Sequence, residues 1–156
     1  MIKILAAFSL SVAFLYAGNI EVGTPLYKLN SYKYESPQGR NMRIPKKTKL
    51  VIVAYEKDTG KLVNEFLATK NKFYLQKNRS IFIADIHEMP SIITTMFALP
   101  KLQKYKHLIY LHYGEKFSQV TPSKSEQITL LHVINGKIDK VSFISTAKEL
   151  QENIEK

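Results

Sequence analysis

The chain has 156 residues, the length of one ordinary domain, and a formal net charge of +10 from 23 Lys and Arg against 13 Asp and Glu. It contains no cysteine, which excludes disulfides, thiol–disulfide exchange and an acyl anchor on a thiol. The basic charge is dispersed, from Lys46, Lys47 and Lys49 to Lys101, Lys104 and Lys106, with three arginines in all, the pattern of a solvated surface that also attracts anionic envelope material.

Chain order begins with a secretory signature. Lys3 supplies a positive start, Ile4 to Tyr16 is an almost unbroken apolar run, and small residues follow at Ala17 and Gly18. The run falls short of the ~20 residues that span a bilayer, so residues 1–17 are expected to be a cleaved signal peptide rather than an anchor. Loss of Lys3 lowers the formal charge from +10 to +9. A periplasmic destination follows, with no transmembrane span after cleavage and no nucleic-acid partner.

Residues 18–48 read as a lead-in segment rich in turn formers and tyrosines, with one short strand around Leu26 to Tyr32. Packing of this segment across the domain uses Tyr27, Tyr32 and Tyr34 as well as a glycan or peptide surface does. Residues 49–156 carry the regular pattern. Lys49 to Tyr55 is β-branched and apolar without interruption, a strand buried on both faces. Leu62, Val63, Phe66 and Leu67 recur at helical spacing behind Asp58 or Thr59 as cap, although Asp58-Thr59-Gly60 also suits a hairpin tip. Ser80 to Ile86 is a second buried strand.

Pro90-Ser91 opens a helix whose apolar face is expected to be Ile92, Ile93, Met96, Phe97 and Leu99, kinked or restarted by Pro100 and continuing to Tyr105. Such a stripe also lines ligand grooves, but at helical spacing it reads first as core. His107 to Tyr113 is a third strand, closed by a turn at Gly114-Glu115-Lys116. Ile128 to Ile134 and Lys137 to Ile144 form a hairpin over Asn135-Gly136, and Thr146 with Glu149 makes a capping box for a last helix that turns Leu150 and Ile154 inward.

This order of strand, helix, strand, helix, strand, hairpin and helix resembles the thioredoxin-like fold over Lys49 to Ile154. Leu130 to Ile138, with Asn135-Gly136 at its centre, is similar to the terminal hairpin of that fold, and Ser145 to Ile154 to its closing helix. The layout also resembles exported thioredoxin-like proteins of the YtfJ type that lack the paired cysteines. The resemblance implies an α/β fold with a mixed sheet flanked by helices. It also places Asp58 and Lys61 at the approximate positions of the two cysteines, and Glu126-Gln127 where active members carry a cis-proline. Neither the reagent nor the docking device of the redox enzymes is carried over.

Other chemistry is sparse. His87 and Glu88 beside Asp85 form the best local cluster, yet the four histidines, His87, His107, His112 and His132, match no compact ligand spacing, and His107 and His112 belong on opposite faces of a strand. No metal and no cofactor are expected. Gly-X-Ser-X-Gly, phosphate-loop and dinucleotide fingerprints are absent. The expectation is therefore a non-enzymatic binding or scaffold module of the bacterial envelope, its candidate binding corner Asp58, Lys61, Asp85, His87 and Glu88. The alternatives are a thiol-free partner of periplasmic redox machinery and an enzyme of unrecognised type, the latter to be judged by whether those five residues converge in one pocket.

Overall fold

A computed structural model describes residues 19–156, and the expected signal peptide lies outside them. Seven strands form one mixed sheet: β1 (Tyr34–Glu35), β2 (Asn41–Met42), β3 (Leu50–Ala54), β4 (Ser80–Asp85), β5 (Tyr110–His112), β6 (Ile128–Ile134) and β7 (Lys137–Ile144), in the order β2-β1-β5-β4-β3-β6-β7. β3, β4 and β5 run parallel, and β6 lies antiparallel to β3. The lead-in joins this sheet, because β1 pairs with β5 across Glu35 and Leu111.

The central strands are continuously apolar because both of their faces are covered. Every residue of β3 is buried, and so is every residue of β4, Asp85 included. On one face Ile52, Phe82, Leu111 and Leu130 meet Val63, Phe66 and Leu67 of helix α1 (Lys57–Ala68), Leu75 of the short α2 (Tyr74–Lys77) and Leu150 and Ile154 of α6 (Ala147–Ile154). On the other, Val51, Val53, Ile81, Ile83 and Leu131 meet Ile20, Leu26, Leu29 and Ile44 of the lead-in and Phe117 of α5 (Glu115–Val120). Successive right-handed crossovers along β3, β4 and β5 place both connecting helices on the first face.

The hairpin and its closing helix follow the local chemistry. Asn135 and Gly136 take φ of +51° and +72°, the left-handed pair that a two-residue turn between twisted strands requires. Thr146 Oγ1 accepts from the Glu149 amide at 3.2 Å, and the Glu149 carboxylate accepts from the Thr146 amide at 3.1 Å. Helix α1 starts two or three residues earlier than Asp58 or Thr59 would set it. Its cap is Glu56, whose amide donates to Thr59 Oγ1 at 3.3 Å.

Four further elements differ from what the sequence leads one to expect. The strand expected at Leu26 to Tyr32 is a 3₁₀ helix, Leu26–Ser31, which buries Leu26 and Leu29 three residues apart; extended pairing is confined to a single bridge just before it, Pro25 to Lys137. The third strand shrinks from His107–Tyr113 to Tyr110–His112, since β4 offers it only Ile83, Ala84 and Asp85. The turn expected at Gly114 to Lys116 opens a helix, α5, with Gly114 as its cap.

The helix after Pro90 differs most. It runs as α3 (Ser91–Ile93), a π-helical turn (Thr94–Ala98) and α4 (Leu99–Leu102), and ends short of Tyr105. The wide turn lies just ahead of Pro100, where the ring removes a donor and crowds the preceding turn. Thr94 is buried and Leu99 and Leu102 pack on the core, but Ile92, Ile93, Met96 and Phe97 are exposed by 62, 42, 61 and 64%.

Candidate functional site

The C-terminal ends of β3, β4 and β5 define one edge of the sheet, where loops and helix starts collect polar groups. Its first cluster grows from the end of β4. Side chains alternate along a strand, so Asp85 follows Ile81 and Ile83 onto the lead-in face. Its carboxylate has no exposed surface, and Oδ1 accepts from His87 Nδ1 at 2.7 Å and from the His87 amide at 3.1 Å. Oδ2 is buried with no partner among the described residues. Burial pushes the Tyr34 and Tyr55 hydroxyls well above the ordinary phenol range, and the Asp85 charge adds to that shift in both.

His87 turns its other nitrogen outward. Nε2 lies 3.4 Å from Ser118 Oγ on α5 and 3.8 Å from Glu88 Oε1, whose side chain is 84% exposed. Asp85, His87 and Ser118 thus stand in the order carboxylate, imidazole, hydroxyl that activates a serine nucleophile. With Nδ1–H donating to Asp85, a neutral imidazole accepts only at Nε2. Ser118 has one hydrogen, however, and its Oγ donates to Glu115 O at 3.0 Å, the shorter of its two contacts. The row therefore lacks its last proton link.

The second cluster lies on the opposite face, at the start of α1. Glu56, Asp58, Thr59, Leu62, Glu126 and Ser145 line a shallow depression of about 150 Å³. Glu126 takes a φ of +59°, and its amide donates to Glu56 Oε1 at 2.8 Å. The Glu56 side chain therefore clips the loop before β6 onto the start of α1, across the corner where the resemblance places a cis-proline opposite a cysteine pair. No peptide bond among the described residues is cis. Lys61 does not line the depression; it is exposed on α1 and pairs with Glu65 at 3.7 Å.

The five candidate residues are thus divided. Asp85, His87 and Glu88 form one group, Asp58 belongs to the depression across the sheet, and Lys61 stands outside both. No local sequence pattern marks Ser118 or Glu56. Ser118 is 31 positions from His87 and Glu56 70 from Glu126, so only the topology brings each pair together.

Each of the remaining histidines has a partner within the fold, although His112 Nε2 is buried with none among the described residues. His107 Nε2 donates to Asn64 Oδ1 at 2.8 Å, and burial lowers its pKa to about 4. His112 Nδ1 meets Lys33 O at 2.9 Å while its ring packs against Tyr34 and Phe117. His132 Nε2 meets Ser142 Oγ at 2.9 Å, and burial, with Lys140 nearby, lowers its pKa. Among the described residues no group of three or more His, Asp and Glu is placed to hold a metal ion, and no helix is long and apolar enough to cross a membrane.

No family model matches the chain, and no curated protein does. Solved structures do. A thioredoxin-like protein from Porphyromonas gingivalis superposes with a TM-score of 0.54 at 13% identity, over 85% of this chain and 92% of that one. The fold is thioredoxin-like. StoA from Bacillus subtilis gives 0.51 at 17% identity, over 78% of this chain and 93% of its own. A SCO1/SenC family lipoprotein from Bacillus anthracis str. Ames gives 0.51 at 11%, over 80 and 90%. At these identities the likeness carries the fold and no residue role.

Proposed function

We propose that the chain is an exported, thiol-free binding module of the bacterial cell envelope, of the YtfJ type, with residues 1–17 as its cleaved leader, 18–48 as a lead-in and 49–156 as the thioredoxin-like domain. The observation that carries this reading is the corner at the start of α1. It holds Asp58 and no thiol, and the Glu56 carboxylate ties the facing loop through the Glu126 amide. A side chain that bridges the cleft leaves a shallow depression of mixed polar and apolar lining, suited to reversible contact and without a thiol. The lipoprotein among the structural neighbours and the leader-like start of the sequence support a site outside the cytoplasm. Partners of this module are an envelope protein or an anionic envelope surface, and no cofactor takes part.

The test is a photo-crosslinking residue substituted for Leu62 in cells that export the chain. A discrete adduct with one envelope component is expected. No adduct, or recovery of the chain in the cytoplasm with its leader intact, refutes the reading.

A hydrolytic reading is favoured by one observation, the row Asp85, His87, Ser118. It requires Ser118 to release Glu115 O and turn to His87. Its test is ester hydrolysis by the purified chain: turnover abolished by Ser118→Ala establishes it, and turnover indistinguishable from buffer removes it.

A further inference from the structure

The helix between β4 and β5 presents an anomaly that packing does not explain. Its one fully buried residue is a threonine, Thr94, and Leu99 and Leu102 pack half-buried on the core, while four large apolar side chains, Ile92, Ile93, Met96 and Phe97, stand 42 to 64% exposed on consecutive turns. Single exposed apolar residues are ordinary, but four on one short helix form a contiguous patch of the kind that marks an interaction surface.

The charge around the patch identifies what covers it. Between Met89 and Gly114 the sequence has no acidic residue and three lysines, Lys101, Lys104 and Lys106, all exposed. Lys101 follows Phe97 by four residues and so stands one turn beyond it on the same side. Gln103 Nε2 donates to Pro37 O at 3.0 Å, which seats the turn that carries exposed Arg40 against the end of this helix. The nearest acid in sequence, Glu88, lies at the other end, beyond Pro90, and the one acid near the Pro37 turn is Glu35, two residues before it on β1. Exposed apolar side chains flanked by lysines match the interface of an anionic bilayer, where the apolar groups enter the acyl boundary and the lysines meet phosphate.

We propose that the helix Ser91 to Leu102 docks the protein onto an anionic phospholipid surface, with Ile92, Ile93, Met96 and Phe97 inserted and Lys101, Lys104 and Arg40 at the headgroups. This rests on the envelope binding-module reading, which supplies the exported location. It adds a surface distinct from the depression at Asp58.

The chain has no tryptophan, so F97W introduces a single indole at the patch itself, away from the leader. The probe is the purified chain mixed with vesicles of phosphatidylglycerol and phosphatidylcholine in equal parts, or of phosphatidylcholine alone. A blue shift of the indole emission is expected on the anionic vesicles and none on the neutral ones. Lys101→Glu with Lys104→Glu should weaken apparent binding by at least about 25-fold, roughly fivefold for each lysine lost, and M96S should weaken it without changing the salt dependence. Emission unmoved by anionic vesicles overturns the proposal, as does an equal shift on neutral vesicles. A shift that grows with protein concentration in the absence of lipid also overturns it, by assigning the patch to a second copy of the chain. A failure here with the Leu62 crosslink intact refutes the lipid surface alone; loss of that crosslink refutes the binding module.

Discussion

Replacing His107 with glutamine removes a titrating group from the core while keeping an amide donor for Asn64 Oδ1, its partner at 2.8 Å. In the folded chain burial holds the His107 pKa at about 4, against an ordinary 6.5. Between those values the unfolded chain binds a proton that the folded chain refuses. Stability is therefore complete above pH 6.5 and falls as the pH drops from 6.5 toward 4. At about 1.4 kcal/mol for each pH unit of separation, the loss from this group comes to roughly 3 kcal/mol by pH 4. H107Q should be less stable than the parent by about 1 to 2 kcal/mol at pH 7.5, and that gap should close and reverse as the pH falls. Urea unfolding of both chains at half-unit intervals from pH 4 to pH 8 measures it, and other acid-sensitive groups cancel in the difference. A gap that stays constant across that range refutes the reasoning, because His107 would then titrate alike in the folded and unfolded chains.

Three further outcomes are expected. Thr146→Ala removes the acceptor for the Glu149 amide and should cost about 1 kcal/mol in urea unfolding at pH 7. Asp85→Ala strips the buried acceptor from His87 Nδ1 and its amide and should cost about 1 to 3 kcal/mol, whereas Ser118→Ala should stay within about 0.5 kcal/mol. Glu56→Ala frees the Glu126 amide, whose hydrogen exchange should accelerate by about tenfold or more while the amides of β3 keep their protection.

Where local chemistry decides the structure, the sequence carried it. Asn135-Gly136 demanded a two-residue turn with positive φ, Thr146 and Glu149 could satisfy each other's amides, and the apolar runs of β3 and β4 had no polar face to offer water. The helix after Pro90 shows the limit of that reading. Periodicity marks which residues share a face, but whether the face meets a core depends on how the element seats on the sheet. Here Thr94 is turned inward and Met96 and Phe97 outward. The site was legible only in part for the same reason. Asp85 and His87 are two residues apart and any extended strand end brings them close, whereas Ser118 reaches His87 only because α5 follows β5 at the edge where β4 ends.

The proposal turns on association without chemistry in a thioredoxin-like frame that has no cysteine. It is tested most directly by isolating the adduct formed through a crosslinker at Leu62 and weighing the captured component by mass spectrometry against the same component from cells that lack the chain. Binding alone predicts an equimolar adduct whose captured component is chemically unchanged however long the two have been in contact. A component that is cleaved, oxidised or reduced in proportion to the time of contact would contradict it.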